Sequence, residues 1–236
     1  MKSQVLDKGF IEVVDSLGND LTVVNSARVS FGKRKKYWDK SDRRLCMYLA
    51  KHKHYSPFRH LQVQFHIKAP EFVMRQWYKH VVGIETTSNS STKDHAWNEI
   101  SGRYVEYDEF YEPISYRKQS DDNKQASEGE FEKGEYDYHF VDANWTNAHE
   151  SSLSAYKQLI EIGMAKEQAR IILPLNQYTE VYWTASFQAI MNFIELRNEK
   201  TSQWEIQEYA KVMLDLMKYV YPQTTTLWSE AHNWSS

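Results

Sequence analysis

Residues 61–80 read LQVQFHIKAPEFVMRQWYKH, and this stretch decides the fold because it joins a strand directly to a helix. Over residues 61–69, apolar and polar side chains alternate, which is the period of two of a strand with one buried face. Pro70 ends the strand and suits the first turn of a helix, where its missing N–H would have no partner in any case. The stretch therefore predicts a helix that packs behind a strand and carries a basic cluster.

The flanking sequence predicts further elements of both kinds. Residues 10–17 are typical of a strand, Asp20 is expected to cap a helix, and a second helix is expected from Ser41 to about Lys51. Helical spacing returns late in the chain, at residues 151–162, 166–172 and 179–197, and again after a capping box formed by Ser202 and Glu205. Residues 118–148 have many acids and no sustained period, which indicates a surface excursion that is partly ordered by its aromatic residues.

Composition limits the classes of protein that the chain can belong to. With 236 residues, 41% of them hydrophobic, it can bury a core as one large domain or as one domain with insertions. A net charge of -3 argues against a general polyanion binder. The basic run 33–36 fits a solvated loop better than a nucleic-acid patch. The sequence has no apolar run of the ~20 residues that span a bilayer and no secretory signal, so we expect a cytoplasmic protein without a membrane partner.

Several common kinds of site are disfavoured. Cys46 is the only cysteine and lies in a helical pattern, so we expect it to pack in the core and not to act as a nucleophile. His52 and His54 could suggest a metal, but neither a cysteine pair nor an HExxH motif accompanies them, and no metal is expected. The sequence contains neither GxGxxG nor GxxxxGK[ST], so a bound dinucleotide would not sit in a Rossmann or P-loop frame.

The stretch from 74 to 104 carries side chains suited to a phosphate and a planar ring. Its guanidinium, ammonium, imidazole and amide groups are Arg75, Gln76, Lys79, His80, Asn98 and Arg103. Glu99, Ser101 and Arg103 alternate, so in extended form their side chains point to one side. A hydroxyl hydrogen bond is the favoured role of Ser101 because no Asp-His relay accompanies it. The stretch therefore predicts a nucleotide site.

Two arginines and one polar stripe leave alternatives open. Arg170 and Arg197 each end an apolar helical pattern, where a charge is costly unless it is paired, so either a salt bridge or an anionic ligand would satisfy them. Gln188, Asn192 and Glu195 lie three and four residues apart along one helical stripe. This stripe indicates either an internal hydrogen-bond network or a surface that faces a polar ligand.

The chain resembles the flavin-dependent thymidylate synthases over most of its length. The likeness runs through DKGFIEVVDSLGNDLTVVNSARVSF, SPFRHLQVQFHIKAPEFVMRQWYKH, NEISGRY, QARIILPLNQYTEVYWTASFQAIMNFIELR and SQWEIQEYA. The resemblance implies a mixed α/β (α+β) fold, a small sheet with flanking helices, and a homotetramer with active sites between subunits. It further implies conversion of dUMP to dTMP with methylenetetrahydrofolate and with NADPH acting through FAD, without a cysteine nucleophile.

The resemblance also implies roles for individual residues. Those expected to contact dUMP are Gln76, Trp77, Tyr78, Lys79, Glu99, Ile100, Ser101, Gly102, Arg103, Arg170 and Arg197, and the last two are expected to be catalytic. Those expected to contact FAD are Ser30, Ser56, Lys79, His80, Val81, Asn98, Glu99, Ser186, Gln188 and Asn192. His54 is expected near the flavin and the folate.

Two departures from the family pattern stand in this sequence. Lys79-His80-Val81 replaces the usual Arg-His-Arg, which removes one guanidinium and exchanges another for an ammonium. An insertion covers about 82–96, and we expect its hydroxyls, Asn89 and Lys93 to replace the missing donors. The single domain is thus expected to span 1–236, with insertions at about 82–96 and 118–148.

Two alternative functions compete with a working synthase. A degenerate member of the family would bind FAD and nucleotide without methylating the nucleotide. A nucleic-acid-binding protein would use the basic run 33–36 and the cluster around Trp77 for phosphate contacts and stacking. Because the family resemblance covers so much of the chain, neither nucleic acid nor membrane is an expected partner.

Overall fold

The computed structural model describes residues 1–80 and 96–234. Its strands are β1 (Lys2–Val5), β2 (Gly9–Leu17), β3 (Gln62–Pro70), β4 (Ala96–Glu99), β5 (Arg117–Gln119), β6 (Ser127–Glu130) and β7 (Tyr178–Ser186). Its helices are α1 (Asp20–Arg28), α2 (Lys40–Lys51), α3 (Glu71–Trp77), α4 (Tyr136–Glu161), α5 (Lys166–Ala169), α6 (Phe187–Arg197), α7 (Trp204–Val220) and α8 (Pro222–Ala231). Short 3-10 turns cover Val29–Phe31, Ser56–His60 and Arg170–Ile172.

The main sheet has five strands in the order β1-β2-β3-β7-β4, and every pairing is antiparallel. β3 lies at its centre, and its Val63, Phe65 and Ile67 are fully buried on one face. β3 pairs with β7 so that Pro70 faces Tyr178 and Gln62 faces Ser186. This register places the start of α3 beside the start of β7. Together with the flanking helices, the sheet confirms the expected mixed α/β fold.

Aromatic rings join the helices to the sheet. Trp77 of α3 is 1% exposed and stacks on Phe193 of α6, with ring centroids 4.3 Å apart. Both rings contact Trp183 of β7 edge-on. Burial of such large apolar surfaces contributes about 1.5–3 kcal/mol for a side chain of this class. The cluster fixes the carboxyl ends of α3 and α6 against the same part of the sheet.

The predicted helix over residues 179–197 is wrong in its first half. Residues 178–186 form β7, in which Val181, Trp183 and Ala185 are buried while Tyr182 is exposed. The sequence places this strand directly before the apolar helix α6, so the combined run appears apolar on all sides of a helix. β-branched and aromatic residues at a period of two were the signal of the strand.

The caps of two helices also differ from their predictions. Asn19, not Asp20, caps α1, and the Asp20 carboxylate instead accepts hydrogen bonds from the backbone N–H groups of Gln223 and Thr224. α7 has no capping box, because the Ser202 hydroxyl donates to the carbonyl of Leu196 and Glu205 is buried. The side chains of Asp20 and Ser202 thus bond outside the helices that they were expected to cap. The Asp20 contacts also hold the start of α8, a helix that was not predicted from the sequence.

The excursion predicted over residues 118–148 contains regular structure. β5 and β6 form a two-stranded hairpin, and α4 begins at Tyr136, well before the predicted start at residue 151. The strand predicted over residues 10–17 is confirmed in β2, and α2 begins one residue before the predicted Ser41. Across residues 1–80 and 96–234, no helix combines the length and apolar character needed to cross a membrane.

Cys46 lies in α2 and is fully buried, which confirms its predicted place in the core. Burial raises the pKa of its thiol to about 12. A thiol with so high a pKa has almost no thiolate near neutral pH, and thiolate is the nucleophilic form. Cys46 is therefore a packing residue.

Candidate active site

The carboxyl ends of α3 and α6 bring His80 and Arg197 together. Arg197 Nε donates to His80 Nε2 across 2.8 Å, so this imidazole nitrogen is the acceptor and the ring is neutral. Burial and, secondly, the charge of Arg197 lower the pKa of His80 to about 4. The His80 ring also meets Phe193 edge-on, with centroids 5.1 Å apart. A neutral histidine therefore orients the guanidinium and leaves its terminal N–H groups without a hydrogen-bond partner among the described residues.

This pair predicts a pH dependence of stability. The folded pKa of His80 lies below its usual 6.5, so the unfolded chain takes up the proton first as the pH falls. Stability from the neutral imidazole is complete above about pH 6.5 and is lost progressively as the pH approaches 4. The variant His80→Gln can accept the same hydrogen bond but cannot titrate. We therefore expect its melting temperature to fall less than that of the wild type when the pH is lowered from 7 to 5. Equal losses in the two proteins would contradict this.

A second group of predicted residues meets in the loop after β4. The backbone N–H of Ile100 donates to the backbone carbonyl of Glu180, which continues the edge pairing of β4 with β7. Gly102 is buried, and a Cβ at this position would lie 2.5 Å from a Tyr107 ring carbon and 2.9 Å from Arg170 Cδ. Burial and, secondly, the charge of Glu99 raise the pKa of the Tyr107 hydroxyl, whereas the neighbouring Arg170 and the Gly102 backbone lower it. Gly102 therefore lets the loop close against Arg170.

Ser101 and Arg103 lie in the same loop. The Ser101 hydroxyl oxygen lies 3.4 Å from both the backbone nitrogen and the Nε of Arg103. The Arg103 side chain is exposed and its guanidinium lies 5.4 Å from the ring centroid of Tyr104. Ser101 and Arg103 thus flank Gly102, whose backbone lies against Arg170.

Carboxylates border this group of cations. Glu99 Oε1 accepts a hydrogen bond of 2.7 Å from the Thr179 hydroxyl. Burial and the neighbouring charge of Glu99 raise the pKa of Glu71, whereas Arg75 and Arg170 lower it. These four charged side chains therefore share one electrostatic environment at the start of α3. Glu71 was not predicted from the sequence, because its position depends on the antiparallel pairing of β3 with β7.

A third group lies at the amino end of α6. Ser186 caps this helix by accepting a hydrogen bond from the Ala189 backbone, and the buried Gln188 accepts one of 2.6 Å from Arg59 Nε. Arg59 belongs to the turn Ser56–His60, which packs against α6 and α1. The Arg59 contact favours the internal network for Gln188, whereas Asn192 is half-buried and Glu195 is exposed. α6 has 11 residues, so this group lies about 16 Å along the helix from Arg197.

Several predicted residues lie apart from these groups. The Trp77 side chain is in the core, so only its backbone could reach a ligand. Gln76 donates to Gln203 across 2.7 Å, and Tyr78 is exposed beside Trp97. Ser30, His54, Ser56, Lys79 and Asn98 are exposed. Val81, Asn89, Lys93 and the insertion up to residue 95 lie outside the described residues.

Metal ligands do not cluster in the described ranges. Within residues 1–80 and 96–234, no group of three or more His, Cys, Asp or Glu could hold a metal ion. His52 and His54 instead form part of an aromatic group with Tyr48. Three residues near the candidate site were not predicted from the sequence: Arg59, Glu71 and Tyr107. Each interacts with a residue distant in the sequence.

Comparison with known proteins identifies the family to which the chain is similar. The family model described as thymidylate synthase complementing protein matches residues 12–223. A flavin-dependent thymidylate synthase of Thermosipho melanesiensis is 41% identical over 227 residues, covering 95% of this chain and 92% of that relative. A flavin-dependent thymidylate synthase of Thermus thermophilus is also 41% identical, over 92% of this chain and 74% of its own.

A solved structure shows the same fold. The UMP/dUMP methylase PolB from Streptomyces cacaoi, bound with 5-Br dUMP, is similar with a TM-score of 0.76 and 28% identity over 97% of each chain. The sequence and the fold therefore agree along nearly the whole length. The protein belongs to the family of flavin-dependent thymidylate synthases and is an enzyme of this type.

Proposed function

We propose that the protein methylates dUMP to dTMP, with FAD as its flavin, methylenetetrahydrofolate as the carbon donor and NADPH as the reductant. One observation carries the proposal: the family match over residues 12–223 contains both the Arg197–His80 pair and the Gly102–Tyr107–Arg170 group. The relatives are named flavin-dependent thymidylate synthases, and the structural neighbour is named a UMP/dUMP methylase. Neither a degenerate member nor a nucleic-acid-binding protein is favoured.

The group around Arg170 fits a nucleotide phosphate. It combines the guanidinium groups of Arg170 and Arg103 with the hydroxyl of Ser101, and Gly102 keeps the loop free of a side chain. Guanidinium groups bind phosphate oxygens through paired N–H donors. We therefore assign the phosphate end of dUMP to this group, and Glu99 and Ile100 to its borders, while Gln76 is a proposed dUMP contact outside this group.

Arg197 is assigned to the pyrimidine end. Its Nε is held by His80, and its terminal N–H groups remain available for ring oxygens. A fixed positive charge in a partly buried site stabilises negative charge that develops on the uracil ring in the transition state. The lowered pKa of Arg197, caused by burial, indicates this reduced hydration. His80 is a positioning residue for this guanidinium.

The chemistry of the donor set also fits a flavin dinucleotide. Exposed hydroxyls of Ser30 and Ser56, the ammonium of Lys79 and the amide of Asn98 suit phosphate oxygens and the polar edge of a flavin ring. Ser186, Gln188 and Asn192 would support them from α6. When bound, FAD supplies the hydride chemistry. The chain itself binds, orients and excludes water, and Cys46 provides no nucleophile because its thiol is buried.

The distribution of these groups supports a homotetramer with sites between subunits. The turn Ser56–His60 bonds to the amino end of α6 through Arg59, Arg197 lies at the carboxyl end of α6, and Ser30 follows α1. Residues on several faces of one chain can form one site if a second copy supplies the missing side. We also propose that Asn89 and Lys93 of the insertion supply donors lost by the change to Lys79-His80-Val81. His54 is assigned to the vicinity of flavin and folate.

Lys35 of the basic run 33–36 belongs to a structural ion network. Lys35 Nζ lies 2.6 Å from Asp39 Oδ2 and 3.2 Å from Asp42 Oδ2, and Asp42 is fully buried. Asp42 is also paired with Arg28. Lys35 therefore ties the loop to α2, which supports the interpretation of this run as a loop and not as a nucleic-acid patch.

Measurements on the purified protein test the proposal. We expect a yellow protein whose flavin spectrum bleaches with NADPH and changes when dUMP is added. Tritium release from 5-labelled dUMP should require methylenetetrahydrofolate. Flavin and dUMP binding without tritium release would establish the degenerate alternative instead.

A further inference from the structure

A cleft of about 1090 Å³ lies between α1, the loop of residues 32–36 and His60. Its volume is at the upper end of the range typical of small-molecule sites, about 1,000 Å³. None of the described residues assigned to dUMP, flavin or folate lines it. It nevertheless adjoins the assigned flavin contacts, because Ser30 follows the lining residue Val29 and the turn that begins at Ser56 ends at His60. The cleft is therefore a separate space beside the residues assigned to flavin.

The lining of this cleft is cationic. Lys33, Arg34 and Lys36 line it and are exposed, and their side chains form no ion pair with any residue that the structure describes. Lys35 also lines it, but its ammonium is paired within the ion network of α2. Among the described residues that line the cleft, none is Asp or Glu. Three cations without a competing carboxylate favour an anion, and guanidinium and ammonium groups are common partners of phosphate oxygens.

Hydrogen bonds to α1 fix the loop that carries these cations. Asn25 Oδ1 accepts from the backbone N–H of Lys35 at 2.8 Å, and Asn25 Nδ2 donates to the Lys35 carbonyl at 2.9 Å. The backbone N–H of Lys33 donates to the carbonyl of Arg28 at 3.3 Å. Arg34 thus lies between two anchored residues. A ligand that binds there does not have to order the loop first, which reduces the entropy lost on binding.

Three apolar side chains also line the cleft. They are Leu17, Leu21 and Val29, of which Leu17 is 64% and Val29 is 73% exposed. Covering exposed apolar surface with a planar ring is favourable. An inorganic anion or an acidic peptide would leave these side chains in water. A nucleoside phosphate can cover them with its base while its phosphate contacts the cations.

We propose that this cleft binds the adenosine 2′-phosphate end of NADPH, with the phosphate among Lys33, Arg34 and Lys36. The inference rests on the proposed function, in which NADPH is the reductant. The 2′-phosphate is the group that distinguishes NADPH from NADH, and a nearby arginine is a recurring means of accommodating it. The position beside Ser30 suits a molecule whose nicotinamide end must reach the flavin. The cleft therefore predicts a preference for NADPH over NADH.

The probe for binding is adenosine 2′,5′-bisphosphate, and AMP is its counterpart without the 2′-phosphate. The protein is used as the FAD-loaded enzyme saturated with dUMP, so that the assigned nucleotide site is filled. We expect titration calorimetry to show one bisphosphate per chain. AMP should bind at least about tenfold more weakly, because it lacks the charge-assisted hydrogen bonds of the 2′-phosphate. Equal affinities, or no bisphosphate binding at millimolar concentration, would overturn the proposal.

A pair of arginine variants locates the binding. Arg34 lines the cleft, whereas Arg44 of α2 does not, and both are exposed. Arg34→Ala should reduce the preference for the bisphosphate over AMP at least about tenfold, and Arg44→Ala should leave it unchanged. Arg34→Lys should recover only part of the preference, because an ammonium lacks the planar fork. A preference that survives in Arg34→Ala would place the 2′-phosphate elsewhere and overturn the assignment.

Reduction of the bound flavin gives a second measurement. In Arg34→Ala, the ratio of anaerobic flavin bleaching with low NADPH to that with low NADH should fall at least about tenfold. A fall in FAD affinity with an unchanged ratio would show that the cleft holds the flavin instead. FAD content, dUMP binding and tritium release are measured on the same samples, so the two proposals fail separately. A working synthase without a 2′-phosphate preference refutes only this inference, whereas a protein without flavin and tritium release refutes the proposed function.

Discussion

Arg197→Ala is expected to abolish measurable dTMP formation while the protein still folds and binds flavin. Removing one preorganised donor from an active site costs about 10²–10³ in kcat, and Arg197 is assigned both the charge and the orientation at the pyrimidine. The side chain is half-buried at the end of α6, and its only hydrogen bond within the described residues is to His80. The fold therefore depends little on it. Tritium release from 5-labelled dUMP measures the loss.

A matched control separates loss of this guanidinium from loss of any surface arginine. Arg43 is exposed and forms an ion pair with Glu230, and no site role is assigned to it. Arg43→Ala should keep normal turnover, since exposed ion pairs contribute only about 0–1 kcal/mol. Arg197→Lys should recover only a small part of the activity, because an ammonium cannot donate to His80 and to the ring as the fork does. Normal turnover in Arg197→Ala would remove this residue from the mechanism.

The local sequence pattern was sufficient to predict the elements that pack one face against the core. The alternation over residues 61–69 and the proline after it predicted β3 and α3 correctly, because side-chain period and proline chemistry are local properties. The same reasoning failed over residues 178–186. A strand with one buried face there leads directly into α6 through Ser186, which ends the strand and caps the helix, so periodicity alone could not separate the two.

The candidate site residues were proposed from residue type and not from contacts. Arg197 and His80 were both predicted, yet their pairing joins positions far apart in the sequence and depends on the stacking of Trp77 on Phe193. Arg59 and Tyr107 were missed because nothing in their local sequence distinguishes them. Their roles arise only when the turn Ser56–His60 packs on α6 and the loop after β4 closes on Arg170.

Gly102→Ala is the second substitution with a large expected effect. The added Cβ would lie 2.5 Å from a ring carbon of Tyr107 and 2.9 Å from Arg170 Cδ, so at least one of them must move. Displacement of Arg170 removes a guanidinium from the assigned phosphate group. A shift of about 1 Å in a positioning residue can cost about 10²-fold in rate. We therefore expect KM for dUMP to rise and kcat/KM to fall by about two orders of magnitude.

The cause of this loss can be identified by removing one of the two side chains that the new methyl group would meet. Tyr107→Ala removes the ring that the new methyl group would meet first, so in that background Gly102→Ala should cost much less than it does alone. Coupling of this kind between contacting residues is measured by a double-mutant cycle. Equal costs in both backgrounds would show that the ring contact is not the cause. An unchanged KM in the single variant would contradict the expected displacement of Arg170, whose Cδ lies closest to the new methyl group after the ring.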